Sequence, residues 1–516
     1  MRSYLTALAP SSADIVVAGG GPAGATIAQQ LVGFGYRVTL IEKQRFPRHQ
    51  IGESLTPSIF PILDFLGVRQ QVEQAGFLRM AGHSVCWGSA QPRTAYYSPD
   101  QHRRGFQSWR ATFDHILLEH ARQAGVHIIE GQPVRNVSQN ENSGVCVQYA
   151  AAERIQAEFF IDATGHAGIF ASQGLRQRDD IFQTLAVSGY WHNAHNPAGV
   201  DFANTLLEAY PNGLVWSVPL HTGLRNVTLL VDWQQGKAMK QLGLRQFYEA
   251  ELRRAAYIPH FLRQADLARA PEVFDASLYT ARQFASARTL LVGDAGLFID
   301  PLSSEGVHKA MASALTGAVV VNTLLQRPSM HPQAITLYES GQRDTYLNHY
   351  RQSASYYRQE GRWPDRPFWQ RRTQHLLSDP EPSIPQSGPQ PAVASFSPFD
   401  SRPVSHLGLA SAVSIQNKPV VEGRYVELRP VVVVPRYPRG LRFLSGVNVP
   451  TLLQCVQTHA AVPDVLDAYL RHPDGQNSVP DQSRQIGQIP QIRQVLAQLY
   501  QDGVLIAASP AESRSN

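Results

Sequence analysis

The sequence of 516 residues contains only three cysteines, Cys86, Cys146 and Cys455, which lie far apart in the chain. Their odd number and wide spacing match neither a disulfide framework nor a cysteine-based metal site. We therefore expect no disulfide bond and no metal centre. Because disulfides are rare in reducing compartments, this cysteine usage predicts a cytoplasmic protein.

The sequence also has no apolar stretch of about 18 residues, so we expect no transmembrane helix. Residues 1–14 lack the long apolar core of a signal peptide. The net charge is only +5 and is spread along the chain without a Lys/Arg run, which gives no support for nucleic-acid binding. A hydrophobic content of 43% is typical of a soluble globular protein.

A glycine cluster near the start, "VVAGGGPAGATIA" (16–28), joins a strand-like apolar run to a helix-like run. Gly19, Gly21 and Gly24 match G-x-G-x-x-G, in which glycines permit a tight turn, close approach of a pyrophosphate and close helix packing. The free N–H groups at the start of the helix attract the anion. Glu42 ends the next strand-like run, where an acid accepts hydrogen bonds from a ribose. The segment therefore predicts a βαβ unit that binds a dinucleotide.

Two further segments, "IDATG" (161–165) and "LLVGDAGLFIDPLSSEGVHKA" (290–310), resemble the other fingerprints of FAD-dependent hydroxylases with the para-hydroxybenzoate hydroxylase fold. The resemblance implies that FAD is the cofactor and that Asp294 accepts a hydrogen bond from a ribityl or ribose hydroxyl. It also implies that Pro301 belongs to the cofactor-binding segment, and that a helix starting near Gly306 directs its positive end at the flavin.

Three other segments resemble flavin-dependent halogenases and their monooxygenase relatives: "FPRHQIGESL" (46–55), "SWRATFDHILLEHARQAGV" (108–126) and "YYRQEGRWPDRPFWQRR" (356–372). This resemblance covers about residues 13–375 and implies that Glu53 and Arg110 belong to the FAD site. It implies an α/β fold of the GR2-type FAD-binding class with a mixed, largely antiparallel substrate sheet.

The chain is predicted to contain two folded parts. Residues 1–377 would form the FAD-binding, halogenase-like domain, with its substrate sheet at about 80–110 and 180–285. The proline- and serine-rich segment 378–412 is typical of an extended linker. Residues 413–516 predict a small α+β, winged-helix-like domain, which resembles peptide-recognition domains that add a strand to their edge. A dimerisation element and a carrier-protein docking unit are the alternatives.

The halogenase resemblance fails at one chemical position. The family relays oxidised halogen through a lysine seven residues before the tryptophan of a strand, and in "MAGHSVCWG" that position is Met80. A thioether has no N–H and no charge, so it cannot take this role. The family's W-x-W-x-I-P signature appears as "LVWSVP", in which Leu214 replaces the first tryptophan and Trp216 is kept.

The turn before Gly306 differs as well, because Glu305 lies where backbone N–H groups of the family hold halide. A carboxylate there is expected to repel halide by several kcal/mol at low effective dielectric; the alternative is a solvent-facing Glu305 beside an intact halide turn. His83 and His308 are candidate acid–base groups, with a structural role as the alternative for each.

These observations predict an FAD-dependent monooxygenase or oxidase that acts on an aromatic or apolar group of a free, carrier-bound or peptide-borne substrate. Because no second glycine fingerprint occurs, the flavin would be reduced by transiently bound NAD(P)H or by a separate flavin reductase. The alternatives are a halogenase with a displaced lysine and a flavin-binding scaffold without turnover. The candidate catalytic positions are Met80, His83, Trp216, Glu305 and His308.

Overall fold

The computed structural model describes residues 12–97, 100, 103–140, 144–194, 204–374, 405–473 and 482–508. Contacts divide the chain into two compact units, the first with residues up to 384 and 423–425 and the second with the remainder. The predicted boundary at 377 and the linker residues 378–404 lie outside the described residues. No helix in the described part of the chain is long and apolar enough to cross a membrane.

A five-stranded parallel sheet forms the centre of the first unit. Its strands, in spatial order, are Thr289–Leu291, Phe159–Asp162, Ile15–Ala18, Val38–Glu42 and His127–Glu130. The first two strands in sequence pair in parallel, with Ile15 opposite Val38. All residues of Ile15–Ala18 are buried, as expected for β-branched and small residues in a sheet covered on both faces. The predicted βαβ unit is therefore confirmed.

The helix of this unit, Pro22–Gly33, begins directly after Gly21 and has proline in its first position. Proline suits that position because its fixed φ is helical and its missing N–H is not needed there. The buried face consists mainly of small residues, which allows the helix to lie close to the sheet. The opposite flank of the parallel sheet carries a three-stranded antiparallel sheet of Glu153–Ala157, Gly144–Tyr149 and Val134–Asn140.

A second large sheet is formed by the segments that the sequence analysis predicts to be the substrate sheet. Its strands, in spatial order, are Asp266–Leu267, Thr184–His192, Arg225–Asp232, Gly213–Pro219, Thr205–Tyr210, Gly82–Cys86 and Arg93–Tyr96, and Glu272–Asp275 also pairs with Thr184–His192. The segments predicted to form an antiparallel sheet do so, with Trp216 opposite Thr228. Smaller sheets join Ser54–Leu55, Phe106–Gln107 and Leu78–Arg79, and Arg176–Arg178 with Tyr279–Ala281.

Helices cover these sheets. The α-helices of the first unit are Pro22–Gly33, Phe60–Leu66, Arg69–Gln74, Arg110–Gln123, Gly236–Leu242, Leu244–Leu252, Ile258–Phe261, Gly306–Gln326, His331–Arg358 and Pro367–Gln374. The helix predicted to start near Gly306 begins at that residue.

The second unit is a small α+β fold. Its strands are Leu407–Leu409, Ser414–Glu422, Tyr425–Val434, Tyr437–Leu441, Phe443–Leu444, Val447–Asn448 and Leu505–Ala507, and its helices are Val449–Thr458, Val462–Arg471 and Gln482–Gln501. One prediction is corrected here. Leu407–Leu409 was assigned to the linker, but it forms a strand that pairs with Leu505–Ala507, because its apolar residues complete the core of this unit. The winged-helix assignment and its peptide-binding role stay predictions.

Candidate functional site

A cavity of about 650 Å³ lies at the carboxyl ends of the parallel strands and extends to the second sheet. The ends of parallel strands are the usual ligand position in open α/β sheets. Of the predicted site residues, those that line the cavity are Gly19, Gly21, Glu42, Glu53, Arg110, Trp216, Asp294, Pro301 and Gly306. The residues that do not line it are Gly24, Met80, His83, Glu305 and His308.

The three fingerprint glycines have different surroundings. Gly19 has φ of +102°, and a Cβ added there would lie 2.3 Å from the carbonyl oxygen of Ala163. A Cβ on Gly24 would lie 1.9 Å from the oxygen of Gly19, so Gly24 is required for helix packing rather than for contact with a ligand. A Cβ on Gly21 would meet only Arg48, at 3.3 Å. Gly21 therefore leaves open space in the cavity, as close approach of a pyrophosphate requires.

Two carboxylates hold the loops around the cavity. Oε2 of Glu42 accepts a hydrogen bond from the backbone N–H of Gly20 at 2.7 Å, which ties the end of the second strand to the glycine loop. Asp162, which the sequence analysis did not single out, accepts from the N–H of Thr164 at 3.0 Å and of Phe170 at 2.8 Å. Asp162 thus positions the "IDATG" loop, and its place within that motif is the sequence signal that could have identified it.

Two arginines bring positive charge to the cavity wall. Arg110 is buried and donates to Asp114 at 2.8 Å and to the carbonyl oxygen of Ile51 at 2.8 Å. Arg48, which was not predicted, lies 3.2 Å from Oδ2 of Asp114 and also lines the cavity. Asp114 fixes both guanidinium groups, and guanidinium is well suited to bind phosphate oxygens. This chemistry fits a dinucleotide whose pyrophosphate carries negative charge.

Glu53 is a buried carboxyl group facing the cavity. It accepts hydrogen bonds from the hydroxyl of Tyr190 and, at 3.0 Å, from the N–H of Gly52. Burial raises the pKa of Glu53 despite these hydrogen bonds, so the side chain keeps its proton to higher pH than an exposed glutamate does. Tyr190 lies on the second sheet and could not be connected to Glu53 from the sequence.

The predicted cofactor segment 290–310 also places its residues at the cavity. Oδ1 of Asp294 accepts a hydrogen bond from Nζ of Lys309 at 2.6 Å, and the same ammonium donates to the carbonyl oxygen of Leu297 at 2.6 Å. Pro301 and Gly306 line the cavity, so the positive end of the helix Gly306–Gln326 faces it.

Polar groups on the second sheet complete the wall. The indole Nε1 of Trp216 is buried and has no hydrogen-bond partner among the described residues, which marks it as a donor available to a bound molecule. Asn226 and Thr228 also line the cavity and are hydrogen-bonded to each other at 2.9 Å. Asp275 lines it too and accepts from Arg178 at 2.8 Å. Asn226 and Thr228 alternate on one strand, and that alternation is the sequence signal that could have identified them.

Met80 and His83 lie outside the cavity. Met80 is 2% exposed, and its N–H donates to the carbonyl oxygen of Gly105 at 3.0 Å. His83 is partly buried, and its ring centroid lies 5.8 Å from that of Tyr97. Burial lowers the pKa of His83, so this imidazole is predominantly neutral at pH 7.

Glu305 and His308 form a separate group, which we call the Glu305 cluster: Thr56, Ser58, Glu305 and His308. Oε1 of Glu305 accepts from the hydroxyls of Thr56 at 2.8 Å and Ser58 at 3.2 Å, and Oε2 lies 3.0 Å from Nδ1 of His308. Burial alone would raise the pKa of Glu305, but these partners lower it. None of the four residues lines the cavity.

The partners of Glu305 bear on the expectation about halide, which stays a prediction. We expected Glu305 to repel an anion at the turn before Gly306, and its carboxylate is hydrogen-bonded by Thr56 and lies beside His308. A hydrogen-bonded carboxylate exerts a weaker repulsion than a free one. Glu305 is therefore weak evidence against halide binding. In the described residues, no three His, Cys, Asp or Glu side chains are grouped to hold a metal ion.

Comparison with known proteins identifies the family. The family model described as "Tryptophan halogenase" matches residues 14–99 and 89–384. The tryptophan 2-halogenase of Chondromyces crocatus is 35% identical over 336 residues, which span 61% of this chain and 62% of that protein.

Two solved structures share the fold. The myxobacterial chondrochloren halogenase CndH, described as a variant of FAD-dependent halogenases, is 30% identical with a TM-score of 0.65, covering 71% of this chain and 88% of that one. The peptidyl tryptophan dihydroxylase QhpG is 25% identical with a TM-score of 0.67, covering 94% and 99%.

The cavity fits the cofactor of these proteins. The glycine loop leaves space for a pyrophosphate, and two arginines fixed by Asp114 lie beside it. On the second sheet, the indole N–H of Trp216 has no partner among the described residues. The predicted GR2-type fold and FAD as cofactor are confirmed, and the chain belongs to the tryptophan halogenase family of flavin-dependent enzymes.

Proposed function

We propose that the protein is an FAD-dependent monooxygenase that hydroxylates an electron-rich aromatic group. The observation that carries this proposal is Met80, buried at the position of the family's relay lysine. Without an amine there, the chain has no group that could carry oxidised halogen to the substrate.

The other lysines do not replace the missing amine. The chain has five lysines, all in the described residues: Lys43, Lys237, Lys240, Lys309 and Lys418. Lys43 follows Glu42, at the ribose end of the site, and Lys237 and Lys240 are exposed on one short helix. The ammonium of Lys309 is bound to Asp294 and Leu297, and that of Lys418 donates to Pro438 in the second unit.

Bound reduced FAD would supply the oxidising chemistry after reaction with oxygen. The protein positions the cofactor, excludes water from the reacting groups and supplies positive charge. Arg48 and Arg110 hold the anionic end of the cofactor, and the helix starting at Gly306 presents its positive end to the flavin. Trp216 and the apolar face of the second sheet exclude water from the reacting groups. The dihydroxylase QhpG, which shares the fold over 94% of this chain, supports hydroxylation on this scaffold.

The same proposal includes the predictions about the substrate, the source of reduced flavin and the cellular location. The substrate carries an aromatic or apolar group and is free, carrier-bound or peptide-borne. Reduced flavin comes from NAD(P)H or from a separate reductase. A cytoplasmic location is supported by the cysteines Cys86, Cys146 and Cys455, all of which are free thiols.

Halogenation is the second candidate, and the family membership favours it. The tryptophan 2-halogenase is 35% identical, and the contacts of Glu305 with Thr56 and His308 weaken one objection to halide at the turn before Gly306. This candidate needs a different group to carry the halogen, since Met80 cannot.

Aerobic turnover with reduced FAD, with and without bromide, distinguishes these functions. Candidate phenols and indoles, free and as short peptides, are incubated with the holoenzyme and the products are measured by mass spectrometry. We expect a product that has gained one oxygen atom from O₂ and is unaffected by bromide. A brominated product would overturn the proposal, and a purified protein without bound flavin or turnover would favour a scaffold.

Variants of the glycine helix control for free flavin chemistry. A Gly21→Val variant fills the space at the glycine loop and should abolish product, whereas Gly33→Ala, where an added Cβ meets nothing within 4 Å, should retain it.

A further inference from the structure

We propose that the aromatic substrate group is carried by a peptide, whose backbone extends the second sheet at the free edge of the strand Glu272–Asp275 and whose aromatic side chain enters the cofactor cavity. This inference rests on the proposed function, because it names the form in which the aromatic group reaches that same cavity. It selects the peptide-borne substrate over the free and carrier-bound forms. The ring then shares the cavity with the flavin, so no protein group is needed to carry the oxidant.

The strand Glu272–Asp275 meets the cavity with its backbone edge. All four residues of 273–276 line the cavity, although side chains along a strand alternate between the two faces of a sheet. The strand Arg225–Asp232 behaves differently, because only alternate residues of it line the cavity: Asn226, Thr228 and Leu230. The cavity is therefore bounded by the face of the sheet at Arg225–Asp232 and by its edge at Glu272–Asp275.

Phe274 shows which face of the edge strand is turned to the cavity. It lies opposite Ala186, which lies opposite Leu230 on the next strand, and directly opposed residues share a face. All three residues line the cavity. The side chain of Val273 is therefore on the other face of the sheet, so Val273 reaches the cavity through its backbone.

The N–H and C=O groups of Val273 point away from the sheet. The N–H of Ala276 donates to the carbonyl oxygen of Thr184 at 2.9 Å, and in an antiparallel pair every second residue makes such bonds. Val273 is out of step with Ala276, so its backbone groups face outward. In the described part of the chain, Glu272–Asp275 pairs with no strand other than Thr184–His192, and Val273 is 42% exposed.

The edge is open at one end only. At Asp275, Nε2 of His166 lies 3.5 Å from the carboxylate, so the turn Gly165–Ala167, which also lines the cavity, closes that end. At the other end, the Glu272 side chain is 47% exposed and its carboxylate lies 3.4 Å from Arg269. This ion pair leaves little net charge at the entrance, which suits an uncharged peptide backbone. A peptide strand that enters there ends at the cavity.

This geometry fixes the register of the peptide. Because opposed residues share a face, the aromatic residue lies opposite Phe274 and projects its side chain onto the cavity face. In an antiparallel strand, the residue that follows the aromatic residue lies opposite Val273 and exchanges two hydrogen bonds with it. The N–H of the aromatic residue itself points away from the sheet. Addition of a strand to a sheet edge is a common mode of peptide recognition.

Binding to the holoenzyme tests the inference without turnover. The probe is an acetylated and amidated tetrapeptide of tryptophan, valine, threonine and valine, in that order, and its affinity is measured by isothermal titration calorimetry. We expect the peptide to bind at least about tenfold more tightly than N-acetyltryptophan amide, because two backbone hydrogen bonds are added. N-methylation of the first valine should abolish this gain, whereas N-methylation of the threonine, whose N–H points away from the edge, should preserve it.

A proline variant tests the protein side of the same contact. Val273→Pro removes the N–H at the edge and should also abolish the gain, while FAD stays bound, because proline is tolerated at edge positions whose N–H is unpaired. Tyr96→Pro is the matched control on the opposite edge strand, Arg93–Tyr96. The N–H of Tyr97 donates to Ala81, so that of Tyr96 points outward, and Tyr96 is 63% exposed and does not line the cavity. This variant should bind the peptide like the unmodified protein.

The outcomes separate the peptide site from the proposed function. Equal affinities of the tetrapeptide and N-acetyltryptophan amide, or equal effects of the two N-methyl groups, would overturn the inference even if Val273→Pro does not fold. Tighter binding of the pantetheine thioester of indole-3-acetic acid would also overturn it, in favour of a carrier-bound substrate. If free indoles are hydroxylated but the peptide gains no affinity, the peptide site is wrong and hydroxylation stands. If the peptide binds with the alternating pattern but is brominated, the peptide site stands and hydroxylation is wrong.

Discussion

The ammonium of Lys309 lies 2.6 Å from Oδ1 of Asp294, one turn into the helix that begins beside the cofactor cavity. The Lys309 side chain is 3% exposed, whereas that of Asp294 is 32% exposed. A buried ammonium needs a partner because desolvation of a charge is costly. Lys309 therefore fixes the carboxylate through which the cofactor is expected to bind.

Replacing Lys309 should weaken cofactor binding. In Lys309→Met the Asp294 carboxylate loses its charged partner and becomes mobile, so we expect FAD affinity to fall about tenfold, equivalent to about 1.4 kcal/mol. Fluorescence titration of the FAD-free protein measures this. Lys240→Met, which removes an exposed lysine, should have no effect, and an unchanged affinity in Lys309→Met would contradict the positioning role.

Variants of two fingerprint glycines should distinguish a loss of stability from a loss of FAD affinity. A Cβ at position 24 would lie 1.9 Å from the oxygen of Gly19, so Gly24→Ala should cost about 1–3 kcal/mol of stability and also lose FAD. A Cβ at position 21 meets only Arg48 at 3.3 Å, so Gly21→Ala should keep the melting temperature of the FAD-free protein and lose affinity for FAD.

Thermal unfolding without FAD and titration with FAD distinguish these two outcomes. Gly33→Ala is the control and should leave both properties nearly unchanged. Equal losses of stability in Gly21→Ala and Gly24→Ala would show that both glycines are required for packing, and would contradict the assignment of Gly21 to FAD binding.

The parts that the sequence predicted well depend on local chemistry. The glycine loop, the helix after Gly21 and the helix starting at Gly306 are specified by residues that are close in the chain, and each was found where predicted. The antiparallel sheet was implied by the resemblance to halogenases. These signals were sufficient for the fold class and for nine of the residues that line the cavity.

The parts that failed depend on partners distant in the sequence. Glu305 is held by Thr56, 249 residues earlier, and Glu53 by Tyr190, 137 residues later, so neither orientation follows from a motif. The strand Leu407–Leu409 was missed because its partner, Leu505–Ala507, is nearly 100 residues away.

Met80 should tolerate an apolar replacement. Because the residue is buried and contributes no polar atom, Met80→Leu conserves volume and should cost less than about 1.5 kcal/mol, with hydroxylation unchanged. Met80→Lys places an ammonium in an apolar position and should lower the melting temperature strongly without producing a halogenated product. Loss of hydroxylation in Met80→Leu with FAD still bound would assign the thioether a chemical role.

Partly buried histidines should make stability depend on pH. Burial lowers the pKa of five histidines below the usual value of 6.5: His49, His83, His127, His221 and His349. As the pH falls below that value, the unfolded chain binds protons that the folded protein does not, so these groups lose their stabilising contribution. Buried Glu53, whose pKa is raised, acts in the opposite direction.

The contribution of one histidine to the pH dependence of stability is therefore measured by comparing the unmodified protein with a variant that lacks that histidine. His83 is suitable because burial is the sole cause of its pKa shift. The melting temperature of the unmodified protein relative to His83→Gln should decrease as the pH falls from about 7.5 to about 5.5, because only the unmodified protein has this histidine to protonate on unfolding. The exposed His260 provides the matched control, because His260→Gln makes the same replacement of an imidazole by an amide at the surface. A constant difference for His83→Gln would mean that this imidazole is protonated equally readily in the folded and unfolded states, and that the strand Gly82–Cys86 is more open to water than its packing indicates.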